Sequence, residues 1–169
     1  MTNLARLTAD SAPGRAAERD DPTHFCTHCG SLFDPSEVNG ERPQRRRVCA
    51  ECGLGVILTC AKTTLDSEGA VFLVVTSDLR ISAASEAAEG FFRIPEGLYG
   101  RPLLSVVTSP DGVGDLARQV VRAASGSRQT VTMPVEAASS RLPAGAIAAR
   151  IGGCASPPAA LLVIETVRA

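Results

Sequence analysis

Six cysteines carry most of the reactive chemistry in this sequence of 169 residues, and four of them form a repeated pattern. Each half of the pattern is Cys-x-x-Cys-Gly, and residues 30–48 separate Cys29 from Cys49, a spacing typical of four-cysteine zinc sites. Two residues between thiolates let both sulfurs turn toward one ion at about 2.3 Å, and two such pairs complete a tetrahedron. The pattern therefore predicts a Zn²⁺ site with the ligands Cys26, Cys29, Cys49 and Cys52.

Four protein ligands leave zinc no open position for water, so we expect a structural ion rather than a catalytic one. Such an ion would stabilise a module that is too small to build a core of its own. An iron–sulfur centre, a disulfide pair and unligated thiols are the alternatives. His24 and His28 flank the first pair, and we interpret them as polar neighbours because four thiolates already complete the ligand set.

The two other cysteines, Cys60 and Cys154, fall in predicted strands. Neither has a nearby histidine or lysine in the sequence to lower its thiol pKa, so the default interpretation is a buried free thiol. The alternative is a redox role for these two thiols, or oxidation of the zinc thiolates themselves.

An arginine run precedes the second cysteine pair and includes Arg42, Arg45, Arg46 and Arg47. These side chains could contact phosphate, which would make the protein a nucleic-acid-binding transcriptional regulator. They could equally be solvated and offset the −2 charge of a four-thiolate zinc centre. Nearby acidic residues dilute the patch, and no aromatic side chain interleaves with it.

The overall composition excludes several classes of protein. The chain has 17 basic and 18 acidic side chains and a net charge of −1, so bulk charge does not direct it to nucleic acid. Hydrophobic residues make up 44% of the sequence, but no apolar stretch approaches the roughly 20 residues that cross a bilayer. The N-terminus has no signal-peptide pattern. We therefore expect a cytoplasmic protein without membrane contact, in which thiols stay reduced.

Patterning divides the chain into a flexible leader (residues 1–23), the N-terminal module (residues 24–62) and the C-terminal domain (residues 63–169). In the domain, short apolar runs predict strands, and Ser82 or Ser85 can cap a first helix. Apolar residues in 111–124 fall on one helical stripe. The predicted strands cover 70–75, 79–82, 129–136, 144–151 and 160–167. This order indicates an α+β fold, with an antiparallel five-stranded sheet that carries helices on one face.

Residues 72–89, FLVVTSDLRISAASEAAE, resemble the opening of a PAS domain, and residues 98–103, LYGRPL, resemble the Gly-Arg-Pro-Leu turn that follows in that family. The N-terminal module is similar to a zinc ribbon. The resemblance implies a PAS-like sensory or protein-interaction domain over about residues 65–167, preceded by a small zinc ribbon.

The resemblance also bears on the ligand of this domain. Haem-binding members bind iron through histidine, and both histidines of this chain lie outside the domain, which argues against haem. Photoactive flavin members need a cysteine in a mid-domain helical motif that is absent here. The remaining possibilities for this domain are a small-metabolite ligand or a core that holds no ligand.

The C-terminal domain also lacks the groups that an enzyme needs. It contains no His, Lys or Trp, and its serines have no base to activate them. We therefore predict that the protein is not an enzyme.

Two of the predicted strands, 70–75 and 160–167, contain runs of successive apolar residues and therefore place apolar side chains on both faces of the sheet. The outer face would then expose a large apolar patch, and such patches mark contacts. We expect a second subunit, the N-terminal module or the leader to cover it. The residues of this possible interface are Phe72, Val74, Leu161 and Val163.

These expectations combine into a regulatory or adaptor protein that acts through a homodimer or a protein partner. Nucleic-acid binding and thiol or zinc redox sensing are the alternatives.

Overall fold

The computed structural model describes residues 21–34, 47–138 and 147–166. The predicted leader therefore lies almost wholly outside the described residues, as do Arg42, Arg45 and Arg46. In the described part, no helix is long and apolar enough to cross a membrane.

The N-terminal module is built on short strands. They are β1 (Pro22–Cys26), β2 (Leu32–Phe33) and β3 (Ile57–Ala61). β1 lies between the other two and pairs antiparallel with both. An isolated bridge between Val48 and Val56 closes the loop that holds the second cysteine pair.

The remaining elements follow the predicted order, with one short strand that the sequence analysis missed. A 3-10 turn at Leu103–Ser105 precedes that extra strand, β6. The elements are β4 (Val71–Val75), β5 (Ile81–Ala84), α1 (Glu86–Phe92), β6 (Val107–Thr108), α2 (Val113–Ala124), β7 (Val131–Ala137), β8 (Ile147–Ala155) and β9 (Ala159–Thr166).

Ser85 caps α1, as one of the two predicted alternatives. Its hydroxyl accepts a hydrogen bond from the N–H of Ala88 at 3.1 Å, which satisfies a donor in the first turn of the helix. The same oxygen accepts from the N–H of Phe72 at 3.1 Å and donates to the carbonyl of Ala70 at 2.9 Å. Ser85 therefore attaches the start of α1 to the beginning of β4.

The predicted α+β fold, with a five-stranded sheet and a separate ribbon, is wrong. The strands form one nine-stranded sheet in the order β2-β1-β3-β8-β9-β4-β5, with β7 also paired to β8 and β6 to β7. This sheet curls into a half-barrel that carries two α-helices, so strands dominate the fold. The reason is the length of β8, which pairs with β7 up to Ile151 and then with β3 at Cys154 and Ala155.

Two hydrophobic cores lie on opposite faces of the sheet. The helix-side core packs α1 and α2 against inward side chains such as Leu73, Ile151 and Leu162. The module-side core packs the N-terminal module against β4 and β9 and contains Phe25, Leu58 and Phe72. Each face of the central strands is therefore buried, which accounts for their continuous apolar sequences.

The apolar stripe predicted for α2 is only partly buried. Leu116, Val120 and Ala124 are buried, whereas Val113 is 48% and Val121 38% exposed. The sheet therefore covers only part of the apolar stripe. Ala123, which lies next to the stripe, is buried as well.

Candidate metal centre

Two turns of the same geometry carry the four cysteines. The first follows β1, and the N–H of Gly30 donates to the carbonyl of Cys26 at 3.1 Å. In the second, the N–H of Gly53 donates to the carbonyl of Cys49 at 3.0 Å. Both glycines have positive φ, 75° and 69°, a conformation that costs other residues energy. This explains the glycine that follows each cysteine pair.

The folded module brings the four sulfurs together. The Sγ atoms of Cys26 and Cys52 are 3.6 Å apart, and those of Cys29 and Cys49 are 3.8 Å apart. All four lie within 4.8 Å of one another. A tetrahedron with metal–sulfur bonds of 2.3 Å has edges of about 3.8 Å, whereas a disulfide needs about 2.05 Å. The arrangement therefore fits four thiolates around one metal ion.

Backbone N–H groups point at two of the sulfurs. His28 N–H donates to Sγ of Cys26 and Gly55 N–H to Sγ of Cys52, both at 3.4 Å. Donors of this kind stabilise thiolate charge and orient the ligand. Gly55 also approaches the first pair so closely that a Cβ there would overlap Sγ of Cys26 and lie 2.8 Å from the nitrogen of His28.

The environments of the thiols differ across the centre. Burial raises the pKa of Cys26 to about 12. Hydrogen bonds from the backbone N–H groups of Gly55 and Leu54 lower the pKa of Cys52 to about 6. At neutral pH Cys52 is therefore ready to bind as thiolate, whereas the buried Cys26 needs a cation to favour its deprotonation.

Neither histidine belongs to the cluster of ligand atoms, which consists of the four cysteines. His24 lies in β1, where its Nδ1 is 2.9 Å from the hydroxyl oxygen of Thr59. Burial lowers the pKa of His24. The contribution of His28 to the centre is its backbone N–H.

Three exposed apolar side chains flank the second cysteine pair, a feature that was not predicted from the sequence. Val48 is 56%, Leu54 74% and Val56 44% exposed, and the exposed Arg47 lies at their edge. Three apolar residues within nine positions of a short metal loop were the available signal, because such a loop has no core in which to bury them. We call Val48, Leu54 and Val56 the knuckle patch.

Cys60 and Cys154 are brought together, although the sequence analysis treated them separately. They are register partners in the β3–β8 pairing, and both are buried in the module-side core. Burial raises the pKa of Cys154 to about 12, and its thiol donates to the carbonyl of Ala159 at 3.3 Å. Local sequence contained no signal for this meeting, since it depends on pairing between distant strands.

The four residues of the possible interface lie in the module-side core. Phe72, Val74, Leu161 and Val163 are at most 2% exposed. Phe25 of β1 packs edge-on against Phe72 with ring centroids 5.4 Å apart. The N-terminal module of the same chain thus covers this face, and a second subunit that binds elsewhere stays a prediction.

Comparisons with known proteins add a single finding. No family model matches the chain, and no curated protein matches it. Among solved structures, the chain is similar to the sensor region of a sensor histidine kinase, with a TM-score of 0.44 and 19% sequence identity. The match covers 59% of this chain and 40% of that structure.

Proposed function

We propose that this protein is a cytoplasmic regulatory protein in which one structural Zn²⁺ holds the N-terminal module against a PAS-like domain. The observation that carries the proposal is the convergence of four cysteine sulfurs within 4.8 Å in a module that forms part of the domain's own sheet. Cys26, Cys29, Cys49 and Cys52 would hold the ion. Its contribution is four bonds that link the end of β1 to the loop before β3.

The donor set supports zinc as the ion. Four thiolates at tetrahedral spacing suit Zn²⁺, and they leave no position for water or substrate. An iron–sulfur cluster spreads its four cysteines around several metal and sulfide atoms, which requires more room than sulfur separations of 3.6 and 3.8 Å provide.

The regulatory part of the proposal rests on the C-terminal domain. Strands β5-β4-β9-β8-β7 lie side by side in that order, and α1 and α2 pack on one face. This arrangement agrees with the PAS-like pattern of residues 72–103. The packed helix-side core favours recognition at the surface over a ligand enclosed inside. Recognition at the surface would let the signal leave through dimerisation or through a protein partner.

The knuckle patch supports a protein partner over nucleic acid. Its three exposed apolar side chains would leave water on contact with an apolar protein surface, which is favourable by about 25 cal/mol per Å². Phosphate contacts need clustered cations, and the other arginines of the run beside Arg47 lie outside the described residues, so the support for a protein partner comes from the apolar side chains alone.

Native mass spectrometry of the full chain tests the proposal. We expect one zinc ion per chain and a dimer or a heteromeric complex when the protein is purified under gentle conditions. Cys49→Ser should lose the zinc, and Cys154→Ala, which changes a buried thiol outside the cluster, should keep it. A wild-type chain that binds no zinc when folded with the metal would refute the metal assignment.

The partner is tested separately from the metal. Leu54→Asp should leave the zinc content unchanged and weaken the dimer or complex, because it places a charge in the knuckle patch. A monomer that binds DNA or RNA with an affinity that falls steeply as salt rises would instead favour the nucleic-acid alternative.

A further inference from the structure

The joint between the N-terminal module and the C-terminal domain contains two cysteines. In the described ladder, β3 and β8 pair at two positions, Thr59 with Ala155 and Cys60 with Cys154. This short pairing makes the module's strands part of the domain's sheet. The Cys60–Cys154 pair therefore lies where the two parts of the chain meet.

The register places both thiols within reach of a covalent bond. Residues directly opposite in an antiparallel pair have Cα atoms about 4.5–5.5 Å apart and side chains on the same face. Disulfides span Cα separations of about 4.4–6.8 Å. Cys60 and Cys154 are both in the reduced form and belong to the same hydrophobic core.

A cavity lies beside this pair, on the face of the sheet opposite to the module-side core that holds the two thiols. It has a volume of about 360 Å³, and Cys60 and Cys154 both line it. Pro22, Gly126 and Ser127 also line it, and the last two belong to the turn after α2 on the helix side of the sheet. Both thiols are at most 5% exposed, so a peroxide reaches them when the short β3–β8 pairing opens locally.

We propose that Cys60 and Cys154 are an oxidative modification site, at which a peroxide joins them in a disulfide that locks the N-terminal module onto the C-terminal domain. One thiol loses its proton, attacks the peroxide and becomes a sulfenic acid as the O–O bond breaks and water leaves. The second sulfur displaces the sulfenic oxygen as another water. Two thiols and one hydrogen peroxide thus give one disulfide and two waters.

The lock forms slowly under mild conditions. Only the thiolate is nucleophilic; both thiols are buried from solvent, and burial raises the pKa of Cys154 to about 12, so few molecules react at any moment. The modification therefore records sustained exposure to oxidant rather than a brief pulse. Once formed, the bond keeps β3 beside β8 whether or not the metal centre is intact.

Peptide mapping of the zinc-loaded full chain tests the site. The protein is treated with hydrogen peroxide, remaining thiols are blocked, and a non-reducing digest is analysed by mass spectrometry. We expect a linked peptide pair that joins Cys60 to Cys154, two hydrogens lighter than the separate peptides and split by dithiothreitol. The proposal is overturned if zinc-ligand cysteines oxidise while Cys60 and Cys154 stay reduced, or if each is converted separately to a sulfinic acid.

A second measurement tests the lock itself. Chelator is added to reduced and to oxidised protein, and amide exchange of β3 is followed. We expect the oxidised chain to keep protection in β3 that the reduced chain loses, and Cys60→Ala to lose that difference. Equal loss of protection in the oxidised and reduced wild-type chains would show that the bond does not lock the joint.

Discussion

At the scale of single residues, the hydrogen-only side chain of Gly55 lets the metal centre close. Its N–H donates to Sγ of Cys52, while the other side of the residue lies against Cys26 and His28. Gly55 thus touches one cysteine from each pair. A methyl group at this position would push the two pairs apart, even though residue 55 is not a ligand.

We predict that Gly55→Ala lowers zinc affinity by about 10- to 100-fold, the range expected when the support of a metal ligand is lost. Leu54→Ala is the matched control, because it changes an exposed side chain next in sequence and keeps the backbone donors. Competition with a chromophoric chelator measures both affinities. Equal affinities of Gly55→Ala and wild type would show that the loop relaxes around the added methyl.

Arg150 links the loop after β3 to β8. Its guanidinium donates two hydrogen bonds to the Asp66 carboxylate, both at 3.0 Å, and one to the carbonyl of Thr63 at 3.1 Å. Its Nε also lies 2.7 Å from a carboxylate oxygen of Glu165. Hydrogen bonding from Arg150 lowers the pKa of Asp66. Asp66 therefore stabilises the fold mainly as the carboxylate.

The sign of the pH dependence follows from the lowered pKa. Asp66 contributes its stability above the unfolded-state pKa of about 4 and loses it as the pH falls through the lower folded-state value. We predict that Asp66→Asn reduces the free energy of unfolding at pH 7 by about 0.5–1 kcal/mol, because the carboxylate is half exposed. Urea denaturation across pH measures the difference, which should shrink as the pH falls below the unfolded-state pKa and vanish below the lower folded-state pKa. A constant difference at all pH values would contradict the assignment.

At the scale of elements, Gly152 and Gly153 let β8 change partners. β8 pairs with β7 up to Ile151 and with β3 from Cys154, so the two glycines lie at the transfer. A Cβ on Gly152 would meet the buried side chain of Thr64, and one on Gly153 would lie 2.6 Å from the carbonyl oxygen of Ser127. The two glycines therefore allow the Thr64 side chain and the Ser127 backbone to pack closely against β8.

We predict that Gly153→Ala lowers the free energy of unfolding by about 1–3 kcal/mol, the cost of overpacking a tight contact with backbone atoms. Gly90→Ala is the control. It lies in α1 with open space around it, so it should be neutral or stabilise by up to about 1 kcal/mol. Denaturant unfolding midpoints of the two variants measure the effect. A Gly153→Ala variant as stable as wild type would mean that the turn at Ser127 shifts to make room for the methyl group.

The sequence predicts most elements of the C-terminal domain because their signals are local. The apolar run before Thr76, the Ser85 cap and the periodicity of α2 each arise within a few residues. The β3–β8 pairing has no local signal, since it depends on how far β8 extends beyond β7. For the same reason the convergence of Cys26, Cys29, Cys49 and Cys52 could be predicted from spacing, whereas the pairing of Cys60 with Cys154 could not.

At the scale of the whole molecule, the four-cysteine cluster proposed to bind zinc is linked to one of the two hydrophobic cores. The metal ligands connect the end of β1 to the loop before β3, and these strands cover the module-side core. The helix-side core lies across the sheet and includes Leu116 and Val120 of α2. Loss of metal should therefore loosen the module-side core before the helix-side core.

We predict that chelation of the wild-type chain raises amide exchange in β1 and β3 while α2 and β7 stay protected. Without zinc, the β1–β3 pair is held by its strand pairing and by the packing of Phe25, which leaves local opening easier than global unfolding. Hydrogen exchange with mass spectrometry follows each element separately. Leu116→Ala supplies the opposite case, since a cavity in the helix-side core costs about 2–5 kcal/mol and should loosen α2 first while zinc stays bound. If the amides on both faces exchanged together after chelation, the sheet would couple the two cores into one cooperative unit. The metal would then support the whole fold rather than one face of it.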